Sequence, residues 1–224
     1  MCGIVGSWGG ERIDEALLED AVRRMRHRGP DGAGVFLDAS SNLGFGHARL
    51  AIQDLSERGA QPMTSSSGRY TCVFNGEIYN HLDLRNELGR SGAPAFRGTS
   101  DTETLLAAIE AWGVKEAVGR LDGMFAIGVW DTKRGELHLI RDRLGLKPLY
   151  VGRVNGRLVF ASDLASIHAF GAPPAVSFSA LAAYFRYACV PGNECIYEGF
   201  TKVEAATFHS YRAPNQEPAI HRYW

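Results

Sequence analysis

Apolar residues recur along this chain with two different periods. Ile4 to Trp8 is a short apolar run that stops at Gly9-Gly10 and reads as a buried strand. Between Ile13 and Met25 the apolar positions Ala16, Leu17, Ala21, Val22 and Met25 keep helical spacing, which predicts an amphipathic helix. Arg23, Arg24, Arg26 and Arg28 gather at its end, where cations complement the helix dipole, and Gly29-Pro30-Asp31-Gly32 is a stop and a turn. Val35 to Leu37, Leu43 to Arg49 and Tyr70 to Asn75 alternate as strands do, whereas Asp54 to Gly68 is rich in Ser, Gly and Pro and reads as loop.

Further along, Ser100-Asp101-Thr102-Glu103 has the form of a capping box and opens a helix through Leu105, Leu106, Ile109 and Trp112, ending at Gly113. Met124 to Asp131 and Glu136 to Arg141 read as two strands joined by a turn. Leu149 to Val154 and Arg157 to Ala161 form a hairpin around Asn155-Gly156. Short helices are predicted near Asp163 to Phe170 and Ser179 to Tyr187, and no clear order beyond Pro191. Helices flanking largely antiparallel strands point to an α+β fold rather than a parallel doubly wound sheet.

Composition narrows the class of protein. The 224 residues are 45% hydrophobic and 22% charged, enough for a sizeable core without disulfides or metal. A net charge of −1 supplies no basic field, so neither nucleic acid nor an anionic membrane is an expected partner. Cys2, Cys72, Cys189 and Cys195 form no CxxC pair or Cys/His cluster and read as reduced thiols. No secretory leader pattern and no run long enough to span a bilayer is seen, so a cytoplasmic location is expected.

The candidate chemistry starts at the second residue. If Met1 is removed, Cys2 carries a thiol and a free α-amine on one residue, a nucleophile with its own base; unperturbed, these titrate near 8.5 and near 8 and suit proton transfer. The alternative is a small apolar residue leading a strand. Asn75-Gly76-Glu77 follows a predicted strand, where an Asn amide and a Gly N–H can converge as oxyanion donors; a plain Asn-Gly turn is the other reading. Arg49, near the end of its strand, offers a fork for a carboxylate or a solvated surface charge. Asp101 can hold an ammonium group or merely cap its helix.

These residues recur in a recognisable order: Met1-Cys2-Gly3-Ile4, Arg26-His27-Arg28-Gly29-Pro30-Asp31-Gly32, Gly46-His47-Ala48-Arg49-Leu50-Ala51-Ile52, Gly59-Ala60-Gln61-Pro62-Met63, Phe74-Asn75-Gly76-Glu77-Ile78-Tyr79-Asn80 and Ser100-Asp101-Thr102-Glu103. Leu121-Asp122-Gly123-Met124-Phe125-Ala126, Arg141 to Tyr150 and Arg222-Tyr223-Trp224 continue it. The pattern resembles the glutaminase domain of asparagine synthetase, a class II glutamine amidotransferase. The resemblance implies a four-layer αββα sandwich of the N-terminal-nucleophile hydrolase type over residues 1–200, with 201–224 as a tail leading toward a synthetase domain. It implies that Cys2 attacks the side-chain amide of L-glutamine, with Asn75 and Gly76 as oxyanion donors. Arg49 would grip the substrate carboxylate and Asp101 its ammonium. Leu50-Ala51-Ile52-Gln53, through backbone groups of Leu50 and Ile52, and Glu77 would complete the pocket.

Two departures stand out. Gln53 occupies a position where an apolar residue is common, and Lys202-Val203-Glu204-Ala205-Ala206-Thr207 replaces the usual Lys-x-Leu-Pro-Pro-Gly-His stretch. No Ser-Gly-Gly-x-Asp-Ser phosphate loop is present. The resemblance therefore implies that this chain supplies ammonia to a synthetase domain or subunit and needs no cofactor itself, ATP and Mg belonging to that other half. A homodimer is compatible with the family. Relatives acting on another carboxylate acceptor, or a non-catalytic glutamine-sensing or assembly module, remain open alternatives.

Overall fold

A computed structural model describes residues 1–224. The strands are β1 (Gly3–Trp8), β2 (Gly32–Asp38), β3 (Leu43–Arg49), β4 (Met63–Thr64), β5 (Tyr70–Ile78), β6 (Gly123–Asp131), β7 (Glu136–Arg141), β8 (Tyr150–Val154), β9 (Arg157–Ala161), β10 (Phe200–Lys202), β11 (Thr207–Tyr211) and β12 (Ala219–Arg222). The helices are α1 (Glu15–Arg23), α2 (His81–Arg90), α3 (Asp101–Arg120), α4 (Leu164–Ile167) and α5 (Phe178–Tyr187). No helix is long and apolar enough to cross a membrane.

The strands form two six-stranded antiparallel sheets, ordered β10-β8-β9-β1-β3-β2 and β12-β11-β7-β6-β5-β4. Three apolar clusters show how the layers stack. Ile4, Phe45, Val73, Trp130 and Phe160 fill the space between the sheets, with Phe45 and Phe160 edge to face at 5.6 Å. Leu18, Ala21 and Val22 of α1 and Ile167 of α4 cover the outer face of the first sheet. Leu84 and Leu88 of α2, and Leu105 and Ile109 of α3, cover that of the second. This is the expected αββα sandwich.

Local signals explain the element ends. Asp14 caps α1 by accepting the Leu17 N–H at 2.8 Å, which shortens the predicted helix at its start. The capping box at Ser100 forms by half: its hydroxyl accepts the Glu103 N–H at 3.3 Å, but the Glu103 carboxylate turns back to the N–H groups of Arg97 and Gly98 instead. Helix α3 kinks at Gly113 rather than ending there.

The expected tail at 201–224 requires correction. β10 pairs with β8, while β11 pairs with β7 and β12, so this stretch completes both sheets. Val203 and Tyr211 are buried between the sheets and Phe208 beneath the helices, so removing it would open the core on both sides. β11 is buried on both faces yet carries Thr207, His209 and Ser210, so it shows neither the alternation of a half-exposed strand nor an apolar run. The unusual Lys202–Thr207 stretch is the crossing between the sheets, closed by the Ala206 N–H donating to Asp142 O at 3.0 Å.

Candidate active site

β1 is an inner strand of its sheet, and its register with β3 (Gly3 opposite Ala48) carries Cys2 to a position beside Arg49. The Leu50 N–H donates to Cys2 Sγ at 3.4 Å, and Arg28 Nε donates to the Cys2 carbonyl at 3.1 Å. The thiol is partly buried and faces a cavity of about 250 Å³. That cavity gathers every residue singled out above: Cys2, Arg49, Leu50, Ala51, Ile52, Gln53, Asn75, Gly76, Glu77 and Asp101.

Asn75 and Gly76 do not follow the strand; they lie inside β5, paired with Ala126 and Phe125 of β6, which rules out the Asn-Gly turn. Both backbone groups of Phe125 face away from β5: its N–H donates to Asp142 Oδ2 at 3.1 Å and its carbonyl accepts the Asp142 N–H at 2.9 Å. Gly76 and Phe125 therefore form a non-hydrogen-bonded pair, the kind that brings two strands closest. A Cβ at Gly76 would sit 2.2 Å from Met124 O and 2.7 Å from Phe125 Cα, so only glycine fits. The Gly76 N–H points to the opposite edge of β5, beyond the short β4. There the Phe74 N–H donates to Gln61 Oε1 at 2.6 Å and the Ile78 N–H to Asp101 Oδ2 at 3.0 Å. Between these two filled positions, Gly76 has no β6 partner and opens on the cavity. Asn75, buried on the face toward the other sheet, donates from Nδ2 to Ser162 Oγ at 3.4 Å. The amide and the N–H can serve one developing negative charge.

The charged walls are arranged around this point. Arg49 donates to the carbonyls of Asp54 and of Ser56 (2.9 Å for the latter), which ties the loop after β3 to the cavity wall. Asp54 is held ionised by the Ser56 hydroxyl and the Thr99 N–H, which lower its carboxyl. Asp101, at the first turn of α3, is nearly covered, and burial raises its carboxyl to about 6 against the pull of the Ile78 N–H. Gln53 Nε2 donates to Glu77 Oε1 at 3.2 Å, so the departure at 53 makes a polar clasp across the mouth. Behind the wall, burial lowers the His47 imidazole to about 4, leaving it neutral at pH 7.

Sequence reasoning assigned no role to Ser162, Gln61 or Lys147. Ser162 touches both sheets, since its Oγ also accepts the Ile4 N–H at 3.4 Å. Gln61 sits in a quoted motif, and its position could have marked it; Ser162 lies in no such motif. Larger clefts of about 690 Å³ between α1 and β2, and about 630 Å³ beside the α3 kink, lie elsewhere. The second holds a His138–Ser210 contact of 2.8 Å, but these are cross-strand partners on β7 and β11, and Glu136 beside them is bonded to Arg212. No group of three or more His, Cys, Asp or Glu side chains is gathered as a metal would need.

The whole chain, residues 1–224, matches the family described as "Glutamine amidotransferase domain". A putative glutamine-hydrolysing asparagine synthetase of Mycobacterium tuberculosis is 36% identical over 243 residues, covering 100% of this chain and 37% of that protein. Asparagine synthetase 1 of Bacillus subtilis is 36% identical over 217 residues, covering 95% of this chain and 34% of the relative. The chain thus spans about a third of the length of these relatives. In fold it is similar to glutamine phosphoribosylpyrophosphate amidotransferase of B. subtilis, with a TM-score of 0.74 and 21% identity over 100% of this chain and 49% of that one.

Proposed function

Since this chain belongs to the glutamine amidotransferase domain family, we propose that it hydrolyses L-glutamine to glutamate and ammonia through Cys2. With Met1 removed, the α-amine of Cys2 takes the thiol proton as sulfur attacks the side-chain carbonyl carbon. The carbonyl oxygen becomes an oxyanion held by the Gly76 N–H and Asn75 Nδ2. The same amine returns the proton to the leaving nitrogen, and ammonia departs from a γ-glutamyl thioester. Water then adds to the thioester, and its collapse frees glutamate and the Cys2 thiol.

The substrate's own charges match the walls. Arg49 receives the α-carboxylate and Asp101 the α-ammonium, while Glu77 and the Leu50–Gln53 run enclose the side chain. The cavity suits one small amino acid rather than a larger ligand. The observation that carries the reading is the convergence of Cys2 Sγ, the unpaired Gly76 N–H and the Asn75 amide on one cavity. This half-reaction calls for no cofactor. The ammonia serves a synthetase domain or subunit that amidates aspartate at the expense of ATP, and four free thiols suit a cytoplasmic setting.

The test pairs intact-mass analysis of the N-terminus with a glutamate-release assay. Processed protein starting at Cys2 should release glutamate, whereas Cys2→Ala should fold and release none. Equal activity in the Cys2→Ala variant, or in protein that keeps Met1, overturns the mechanism.

A further inference from the structure

Lys147 is a buried cation with no anion. Its side chain lines the active-site cavity with 7% of the residue exposed, and its Nζ makes one polar contact, to Met1 Sδ at 3.2 Å. No carboxylate lies within ion-pair distance. An ammonium desolvated without a counter-ion is unfavourable, and lysine normally extends its head to water to avoid it.

The loop beneath Lys147 is built to hold it there. Fully buried Asp142 accepts four backbone N–H groups: Leu144 at 3.1 Å and Leu146 at 2.8 Å through Oδ1, Phe125 at 3.1 Å and Lys147 at 2.9 Å through Oδ2. Arg141 donates to three carbonyls around the same loop, those of Lys147 (2.9 Å), Val203 (2.8 Å) and Gly145 (2.7 Å). Leu144 and Leu146 are turned out to solvent while Lys147 is turned in.

We infer that Lys147 is a positioning residue for glutamine hydrolysis, its ammonium holding the Cys2 α-amine in the neutral form that can act as a base. The inference rests on the proposed role of Cys2. Met1 Sδ lies only a methionine side chain's length from the Cys2 nitrogen, so removal of Met1 leaves the ammonium facing the new α-amine without its sole partner. A second positive charge there is repelled. The other charged and titratable groups around the cavity do not cancel this field by contact. Arg28, partly buried, donates from Nε to the Cys2 carbonyl and adds positive charge of the same sign, and Arg49 is engaged by the loop carbonyls of Asp54 and Ser56. Asp54 is bonded to Ser56 and Thr99, Asp101 to the Ile78 N–H, and Glu77 to Gln53, while His47 stays neutral behind them.

The test uses processed protein carrying Lys147→Met or Lys147→Arg, with folding checked by thermal unfolding. Two profiles are read: the acid limb of kcat/KM for glutamine, and the pH dependence of α-amine carbamylation by cyanate in the Cys2→Ala background, followed by mass of the N-terminal peptide. Unit charges within about 8 Å at an effective dielectric of about 20 predict that Lys147→Met moves both profiles to higher pH by roughly 1.5 units. Lys147→Arg, which keeps the charge, should move them back. Profiles unmoved in folded Lys147→Met, or a pH-independent loss of turnover, make Lys147 a packing residue and overturn the inference. Failure of the wild-type protein to release glutamate would instead overturn the role of Cys2, and the carbamylation profile would still decide the role of Lys147.

Discussion

Gly76→Ala isolates the proposed oxyanion geometry from everything else in the candidate site. The added methyl adds no charge and touches no substrate contact, yet it would lie 2.2 Å from Met124 O and 2.7 Å from Phe125 Cα. Both obstacles are backbone on β6, so neither can swing aside as a side chain would. Reaching an ordinary separation requires β5 to retreat from β6 by about 1 Å, and a shift of that size at a reacting centre costs on the order of a hundredfold in rate. The same retreat turns the Gly76 N–H away from the oxyanion, a loss of about 2.7–4 kcal/mol, or a factor of about 10²–10³ in kcat. Overpacking adds about 1–3 kcal/mol of destabilisation. The assay is glutamate release for kcat and KM, with urea unfolding for stability. Gly89→Ala is the control: it lies within α2 with open space around its Cβ and should be neutral or stabilising by up to about 1 kcal/mol. The expected result is a collapse of kcat with KM nearly unchanged. A Gly76→Ala protein with wild-type kcat would refute both the closeness of the pair and the role given to its N–H.

Two further predictions concern pH. Because burial raises the Asp101 carboxyl from 3.8 to about 6, its contribution to stability is full below pH 4 and lost as pH rises through 6, a difference of about 3 kcal/mol. Asp101→Asn should therefore raise the melting temperature at pH 7.5 but not at pH 4, while weakening glutamine binding; an Asn variant with unchanged KM places the substrate ammonium elsewhere. In the wild type, protonation of Asp101 should add a second step to the fall of kcat/KM below about pH 6, distinguished from the α-amine limb because Lys147→Met moves only the latter. His138 runs the other way: burial lowers it to about 4, so its contribution is present above pH 6.5 and lost as pH falls through 4, again about 3 kcal/mol. His138→Gln should flatten the acid side of the curve of melting temperature against pH, and an unaltered acid limb would show that His138 does not drive acid unfolding.

The α+β elements were legible because the inner strands β1, β3, β5, β6, β7 and β9, buried along nearly their whole length, read as short runs rich in apolar residues, while α1 buries one stripe at helical spacing. Where that signal fails, legibility fails: β11 is buried but carries Thr207, His209 and Ser210 in place of an apolar run, and α2 (His81–Arg90) carries too few apolar residues, Leu84 and Leu88 among them, to stand out. The candidate site was legible through ordered motifs, whose residues Cys2, Arg49, Asn75, Gly76 and Asp101 line one cavity. What no linear reading could supply is the state of each group. That the Gly76 N–H is unpaired depends on where β4 stops, and the Asp101 carboxyl depends on how deeply α3 seats its first turn. Lys147 looks like any lysine until the loop at Asp142 turns it inward.

The brevity of β4 has one more consequence. An uncovered sheet edge invites pairing with another chain, and proteins usually blunt it with charge or proline. Here β4 covers β5 only at Thr71 and Cys72, and beyond it the side chains of Gln61 and Asp101 occupy the two flanking N–H groups. The vacancy left at Gly76 is one hydrogen bond wide, too narrow to template a strand yet wide enough for a single oxygen. A bound oxyanion would then stand where a neighbouring strand's carbonyl belongs, so that the second sheet is completed, twice per turnover, by its substrate.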